Sequence, residues 1–226
     1  MLQKLDGVGF QSTLLNQLEG VLHGFSGRGA GDMRQGTVNR KLFMDKVGFD
    51  RQPVFAQQTH GNTVPGDGLV SRTHPVAVTT ADCVPVLLVD PESNVCAAVH
   101  AGWKGTLGGI IGNAVQAMTR AGAGTERIYA CIGPHIGACC YDVQEERVHE
   151  FVKRFGHDDK MAFQSDGKWY LDIGWLNYRQ LVDAGLSPDH IDAPPTCTSC
   201  QNNEFFSYRK DSKETYGEMM AVIGFG

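Results

Sequence analysis

The stretch VPVLLVD at Val84–Asp90 is apolar through its whole middle. It lacks the alternation of apolar and polar residues that marks a strand with one face in water, so it predicts a strand buried on both faces. A second apolar run, Val95–His100, follows after a short polar segment. Together the two runs predict strands inside a sheet that other layers of the fold cover.

Shorter strand-like runs lie before this segment, at Val54–Gln58, Leu69–Ser71 and Val76–Thr79, and after it, at Ile128–Ile132 and Met220–Ile223. Residues 1–50 are glycine-rich and only weakly patterned. Because strands dominate the first half and helices alternate with strands afterwards, the sequence predicts an α+β or mixed α/β fold, with sheets covered by a few helices. No internal repeat or long linker interrupts the chain, which favours a single domain over residues 1–226.

Three helices are predicted in the second half. Apolar residues recur at helical spacing over Leu107–Met118, with Thr106 as the expected N-cap and Gly122 just past the end. Asp142 is expected to cap a helix that runs to about residue 155. Asp172 is expected to cap another that ends near residue 185.

Composition excludes several classes of protein. Of the 226 residues 42% are hydrophobic, which is enough to bury a sizeable core. Acidic residues outnumber basic ones by 25 to 20, and no cluster of five Lys or Arg occurs, which argues against a nucleic-acid or anionic-membrane binder. No charge-free run reaches the roughly 18 residues of a transmembrane helix, and the N-terminus lacks the apolar segment of a signal peptide. We expect a soluble cytoplasmic protein, either a monomer or a homodimer.

The seven cysteines fit a reducing compartment, since their number is odd and the chain is too long to need a disulfide framework. Cys96 and Cys131 lie in apolar strand-like runs, where a thiol is ordinary core filler. Cys197 and Cys200 form a CxxC pair. A structural zinc site needs a second ligand pair, and no partner CxxC exists in the sequence, so a zinc knuckle is not favoured there.

Reactive side chains concentrate at the ends of predicted strands, in the segments QQTHGN (57–62), TADCVP (80–85) and VHAGWKG (99–105). His60, Cys83 and His100 would together offer two imidazoles and a thiolate, a set that zinc accepts. Three protein ligands would leave a fourth position for water or substrate, which is typical of a catalytic metal. An alternative uses no metal, with Cys83 as a nucleophile and His100 as its base.

The segments QQTHGN, TTADCVPVLLVD, AAVHAGWKGT, CIGPHIGACCYDV and FFSYRKD resemble, in this order, the motifs of one family. It is the laccase-domain or YfiH-like family, once labelled multicopper polyphenol oxidases and now regarded as purine nucleoside phosphorylases. The resemblance runs from about His23 to the end of the chain. It implies one domain of stacked mixed β-sheets flanked by helices, similar to the deamidase domain of cytotoxic necrotizing factor.

The resemblance also implies a site and an activity. His60, Cys83 and His100 match the residues that bind zinc in the family, with copper as an alternative metal. The implied reaction splits adenosine, inosine, guanosine or methylthioadenosine with inorganic phosphate as co-substrate, giving the base and ribose 1-phosphate. Adenosine deamination is also attributed to the family, and a zinc site can activate water for that reaction.

Within the matching motifs, Arg28, Lys104 and Arg209 are the candidates for holding phosphate, against the more ordinary alternative that each is a solvated surface cation. Lys104 stands where relatives commonly have arginine, so it keeps the charge but loses the bidentate geometry. Asp82 could orient a ligand or accept a proton, and it could equally cap a turn.

The role of three further motif residues stays open. Cys139 and Cys140 are expected in the core or in a pocket wall, because a fourth protein ligand would close the metal site. His135 replaces the cysteine or small residue that many relatives have. It is expected close to the predicted site as an extra titratable group or a further ligand.

Other functions remain alternatives. Laccase chemistry needs several coppers held mainly by histidines in HxH pairs, whereas this chain has eight histidines and no such pair; a single copper is conceivable. A metal-free cysteine hydrolase acting on amides or peptides would use Cys83 and His100, and some bacterial relatives are linked to editing of peptidoglycan precursors. A binding module without turnover ranks last.

Overall fold

The computed structural model describes residues 1–34 and 37–226, which form three β-sheets and five α-helices. The strands, in chain order, are β1 (Leu2–Leu5), β2 (Gly9–Ser12), β3 (Val21–Ser26), β4 (Val54–Phe55), β5 (Gly68–Ser71), β6 (Val76–Thr80), β7 (Val84–Asp90), β8 (Val95–Ala101), β9 (Tyr129–Ile132), β10 (Asp142–Val143), β11 (Ala162–Ser165), β12 (Lys168–Leu171), β13 (Ile191–Asp192) and β14 (Met219–Phe225). The helices are α1 (Thr37–Val47), α2 (Trp103–Leu107), α3 (Ile110–Arg120), α4 (Glu145–Phe155) and α5 (Ile173–Asp183).

Two large sheets stack face to face between helices. One has six strands in the order β1-β2-β3-β14-β6-β4, and the other has five in the order β13-β9-β7-β8-β5. Both are mixed, because the pairs β4–β6 and β9–β13 are parallel and the other pairs are antiparallel. Strands β10, β12 and β11 form a small third sheet.

Strand β7 lies in the middle of the five-stranded sheet, and each of its residues is buried. Leu87 and Val89 pack against the six-stranded sheet, while Val86 and Leu88 face the side where residues of α3 and α5 pack. Helix α1 packs on the outer face of the six-stranded sheet. The prediction of a doubly buried strand and of an α+β fold with stacked mixed sheets flanked by helices is confirmed.

The helix predicted from Thr106 is divided in two. Gly109, with a φ of 77°, lies in the left-handed region between α2 and α3 and precedes the first residue of α3. Thr106 is therefore not an N-cap; it lies within α2, and its hydroxyl accepts a hydrogen bond from Asn177 Nδ2 at 3.0 Å. Gly122 does follow the end of α3, with a φ of 106°, as predicted.

The two predicted aspartate caps have different outcomes. Asp172 caps α5, since its Oδ1 accepts a hydrogen bond from Trp175 N at 2.7 Å. Asp142 is not a cap, because its backbone pairs with β12 and its carboxylate binds Arg209. Helix α4 instead begins after Gln144, without a side-chain cap.

The weakly patterned N-terminal region contains three strands that the sequence analysis did not predict. These strands are short and carry polar residues, so they lack a clear apolar periodicity. The pairing of β3 with β14 holds them in the six-stranded sheet. A buried histidine on β3 contributes, because His23 Nε2 accepts a hydrogen bond from Ser12 N at 2.8 Å. The strand predicted over Val54–Gln58 is shorter, ending at Phe55.

The two cysteines predicted as core filler are buried in the structure. Cys96 and Cys131 are 1% and 0% exposed, which confirms them as core residues.

Within residues 1–34 and 37–226, none of the helices combines the length and apolar character needed to cross a membrane.

Candidate functional site

A cavity of about 500 Å³ opens where the central strands of the two sheets end. The register of β7 with β8 pairs Pro85 with His100, so Cys83, two residues before Pro85, comes beside the end of β8. His60 reaches the same place from the loop after β4. Strand pairing thus brings together three side chains from separate parts of the chain.

The ligand atoms of His60, Cys83 and His100 all lie within 4.8 Å of one another. The two imidazole rings meet edge to face with their centroids 4.8 Å apart. His100 is buried, Cys83 is half-buried and His60 is exposed, so the group is open to the cavity on one side. Two nitrogens and one sulfur suit zinc or copper, and three ligands leave a coordination position free.

Gly102 provides the space for this group. A Cβ at this position would lie 3.2 Å from Cys83 Sγ, 3.5 Å from His100 Cε1 and 3.7 Å from His60 Cδ2. A side chain would therefore crowd the Cys83 thiol and lie in contact with both imidazoles. The glycine of the HAGW segment leaves room for an ion among them.

Asp67, fully buried behind the group, positions both histidines. Its Oδ1 accepts hydrogen bonds from His100 Nδ1 at 2.8 Å and from the backbone N–H of His60 at 2.9 Å. Its Oδ2 accepts from the backbone of Thr59 and Gly61. A proton on His100 Nδ1 leaves Nε2 with a lone pair for a metal, and such carboxylate–histidine pairs are typical of metal sites. The sequence analysis missed Asp67, because it lies in a loop outside the three motif segments.

Burial controls the protonation of two of the three candidate ligands. Burial, followed by the carboxylates of Asp82 and Asp67, raises the pKa of the Cys83 thiol to about 12. Burial also lowers the pKa of His100, which favours the neutral imidazole. Metal binding must therefore displace the thiol proton of Cys83, since the thiolate is the ligand. A free thiolate nucleophile at neutral pH is disfavoured by the same burial.

Three non-glycine residues at this cavity have left-handed backbone angles. Gln58, His60 and Asp82 all have positive φ angles, of 52°, 56° and 83°. Non-glycine residues adopt such angles at a cost, and they cluster at functional sites where neighbouring contacts hold them in place.

Asp82 lines the cavity, but its carboxylate is fully engaged with the protein. Oδ1 accepts a hydrogen bond from Thr198 Oγ1 at 2.6 Å. Oδ2 accepts from Ser207 Oγ at 3.1 Å and from Arg209 N at 2.7 Å. These contacts hold the segment that carries Arg209 against the turn that carries Cys83. They fit a positioning role for Asp82 better than a role in proton transfer.

The three candidate phosphate ligands lie in different places. Arg209 lines the cavity and pairs with Asp142. Arg28 is not among the lining residues; it forms an ion pair with Asp211 at 2.8 Å and stacks on Phe206. Lys104 is exposed on α2 and is likewise not a lining residue. Of the three, the structure therefore brings only Arg209 to the candidate metal ligands.

Arg147 on α4 lines the cavity as well, and the sequence analysis missed it. Its guanidinium carbon lies 4.0 Å from the centroid of the Trp103 ring. Its Nε is buried and has no hydrogen-bond partner among the described residues. In the segment EERVHEF it looks like any surface arginine of a charged helix, so no sequence signal could have singled it out.

Aromatic side chains form much of the remaining wall. Trp103, Tyr141 and Tyr208 line the cavity, as does Tyr216, whose hydroxyl donates a hydrogen bond to Glu218 at 3.2 Å. Such flat surfaces beside polar groups are suited to a planar heteroaromatic ligand.

A second group of potential metal ligands consists of Cys139, Cys140, Cys197 and Cys200, whose sulfur atoms lie within 4.8 Å of one another. The sequence contains no second CxxC, but the fold places Cys139 and Cys140 beside the CxxC pair. Cys139 is exposed and does not line the cavity, so the expectation of a core or pocket-wall position is wrong for it. The His135 ring belongs to neither group. Its Nδ1 donates a hydrogen bond to Gly133 O at 2.8 Å. The ring lines a different cavity, so the expectation that His135 lies close to the predicted site is wrong.

A larger cavity, of about 880 Å³, lies between α3 and α5. Arg120, Arg154 and Arg179 line it, and Arg179 is paired with Asp158 at 3.1 Å. It contains none of the grouped histidines and cysteines, so the smaller cavity is the candidate functional site.

Known proteins are similar to this chain in fold and in sequence. The structure superposes on the crystal structure of the Bacillus licheniformis hypothetical protein YfiH with a TM-score of 0.85 and 29% identity, covering 99% of this chain and 98% of that one. Over 173 residues the sequence is 39% identical to purine nucleoside phosphorylase YlmD of Geobacillus stearothermophilus. A protein named adenosine deaminase RL5, from an unknown prokaryotic organism, is 38% identical over 148 residues.

These two sequence alignments cover 74% and 64% of this chain. They span 63% and 56% of the two relatives, which is less than two thirds of each. The model of the family described as multi-copper polyphenol oxidoreductase laccase matches residues 26–226, nearly the whole sequence. The chain belongs to this laccase-like family, as the motif resemblance indicated.

Proposed function

We propose that the chain is an enzyme of purine metabolism, a zinc-dependent purine nucleoside phosphorylase of broad specificity. Adenosine, inosine, guanosine or methylthioadenosine would react with inorganic phosphate to give the free base and ribose 1-phosphate. The observation that carries the proposal is one cavity of about 500 Å³ that holds the His60–Cys83–His100 group, two arginines and an aromatic wall. The name of the Geobacillus stearothermophilus relative agrees with this reaction class, whereas adenosine deaminase RL5 is named for a different reaction of a purine nucleoside.

The residues present fit a zinc ion. His60, Cys83 and His100 would hold it, Asp67 sets the tautomer of His100, and Gly102 leaves space. When bound there, zinc supplies Lewis acidity next to the substrate. Copper is the alternative metal for the same donors.

Arg147 and Arg209 would hold the phosphate. Arginine matches phosphate oxygens with two parallel hydrogen bonds. The buried Nε of Arg147 has no hydrogen-bond partner among the described residues, so a phosphate oxygen would be its acceptor. Binding the anion between two cations sets it close to the ribose carbon, where positive charge develops as the glycosidic bond breaks. Arg28 and Lys104 have no part in this arrangement, because neither lines the cavity.

Trp103, Tyr141 and Tyr208 would bind the purine through their ring faces. Stacking of this kind distinguishes poorly among purines, since each presents a similar flat surface. Broad specificity for the base follows from a wall of that type.

Purified protein should release hypoxanthine from inosine only when phosphate is present. Chromatography of inosine, hypoxanthine and ribose 1-phosphate with and without phosphate checks this. Equal hypoxanthine release without phosphate would instead identify a hydrolase, and conversion of adenosine to inosine under the same conditions would identify the deaminase named among the relatives.

Replacing Arg147 with methionine should raise the KM for phosphate about 10- to 100-fold, because a charge-assisted hydrogen bond is worth about 1.5–3 kcal/mol. The KM for inosine should change much less. Initial rates at varied phosphate measure both constants. Arg154→Met is the matched control, since Arg154 lies on the same helix but faces the larger cavity. An unchanged phosphate KM in Arg147→Met would contradict the assignment.

The other functions have weaker support. A metal-free hydrolase needs a Cys83–His100 dyad, but no hydrogen bond joins Cys83 Sγ to an imidazole among the described residues, and the pKa of Cys83 is raised to about 12. For a four-copper laccase, the described residues offer a single ligand group that contains imidazoles. Deamination at the same site remains the second candidate, because a relative carries that name.

A further inference from the structure

The four cysteines outside the cavity come from two distant segments. Cys139 and Cys140 are adjacent in the loop after β9, and Cys197 and Cys200 flank a turn closed by the hydrogen bond from Gln201 N to Cys197 O at 3.0 Å. The segments meet through a short bridge, in which His135 N donates to Thr196 O and Thr198 N donates to His135 O. Two pairs of thiols therefore face each other, although the chain separates them by the length of two helices and several strands.

The distances among the sulfur atoms fit a tetrahedral metal. Cys200 Sγ lies 3.5 Å from Cys139 Sγ and 3.4 Å from Cys140 Sγ, and all four sulfurs lie within 4.8 Å. A tetrahedral zinc with Zn–S bonds of about 2.3 Å needs sulfurs about 3.8 Å apart. Small side-chain movements would reach that geometry from the distances present.

Two more contacts favour thiolates here. The backbone N–H of Gly137 donates to Cys197 Sγ at 3.2 Å, a hydrogen bond that stabilises a negatively charged sulfur. Cys139 and Cys200 are exposed, which gives an ion a path to the group. All four cysteines are free in the structure.

We infer that Cys139, Cys140, Cys197 and Cys200 bind a structural zinc ion, separate from the one proposed in the cavity. Four sulfur ligands leave no open coordination position, which is typical of a structural centre. Each thiol would lose its proton when the metal binds, and no oxidation is involved.

A zinc ion at the four cysteines would hold two parts of the cavity wall in place. Tyr141 follows Cys140 directly, and Tyr208 and Arg209 follow the CxxC turn within the same irregular segment. Arg209 also donates to Cys140 O at 3.4 Å. Residues 193–218 contain no helix or strand, so backbone pairing alone does little to hold this wall.

Zinc content of protein purified without chelators tests the inference. Cys139→Ser should lose one equivalent of zinc relative to the unsubstituted chain, and Cys96→Ala, which changes a buried thiol outside both groups, should lose none. Cys83→Ala removes a ligand of the other group and should keep the equivalent held by the four cysteines. Retention of all zinc in folded Cys139→Ser would overturn the inference.

Cobalt provides a measurement that does not depend on Cys139→Ser folding. Cys83→Ala, stripped of metal under reducing conditions and titrated with Co²⁺, should develop the strong visible and sulfur-to-metal charge-transfer bands of a tetrahedral tetrathiolate site. Their absence would overturn the inference, as would a thiol titration showing these cysteines joined in disulfides. Zinc loss confined to Cys139→Ser, with none in Cys83→Ala, would support the cysteine centre while contradicting the zinc of the proposed function.

Discussion

His60→Ala and Cys83→Ala should each lower kcat/KM for phosphorolysis of inosine by about a thousandfold or more. Each removes one of three candidate ligands, and a metal contributes several kcal/mol to stabilising the transition state, where about 1.4 kcal/mol corresponds to a factor of ten. Both variants should also lose the zinc of the cavity. Steady-state rates and zinc content, measured on the same preparations, check the two losses together.

His60→Ala separates the metal enzyme from the cysteine hydrolase. A Cys83–His100 dyad has no use for His60, so a hydrolase would keep its activity in this variant, whereas the metal enzyme would not. His60 is exposed, so its removal should leave the fold intact. Cys96→Ala is the control for loss of a thiol, because Cys96 is buried between the sheets away from the cavity. Full activity of zinc-free Cys83→Ala would refute a catalytic metal at this site.

The sequence could predict the centre of the fold because burial there leaves a simple pattern. Val84–Asp90 is apolar throughout, and it forms a strand with layers on both sides. The ends of this strand and of its neighbour carry Cys83 and His100, which could be singled out as reactive residues next to apolar runs. His60 could be singled out in the same way, in the segment at the end of the predicted strand Val54–Gln58, and the resemblance to the family then implied all three as metal ligands.

Other parts of the site depend on long-range packing that leaves no local pattern. Arg147 reaches the cavity because α4 packs beside Trp103, and nothing in its own helix distinguishes it. The four cysteines meet through the bridge between His135 and Cys197, which the spacing of the residues does not reveal. The break between α2 and α3 arises at two consecutive glycines inside an otherwise continuous apolar periodicity.

Asp67→Asn should weaken zinc binding in the cavity about 10- to 100-fold while keeping all three ligands. Burial alone would raise the pKa of Asp67, but hydrogen bonds from Gly61, His100 and Thr59 outweigh it and hold that pKa below its usual range. The group is therefore an ionised carboxylate at neutral pH, and both oxygens accept. An asparagine supplies one accepting oxygen and one donating NH₂, so either His100 Nδ1 or the Thr59–Gly61 backbone would face a donor instead of an acceptor.

The effect on the metal can be separated from the effect on folding with Asp90→Asn. Asp90 is also fully buried and accepts from backbone N–H groups and from Arg127, but at the opposite end of β7. Both variants should lose about 1–3 kcal/mol of folding stability, because each leaves buried donors without a full partner. Only Asp67→Asn should release zinc to a competing chelator more readily. Equal zinc affinity in the two variants would mean that Asp67 stabilises only the loop of residues 59–61. The orientation of His100 would then not depend on Asp67.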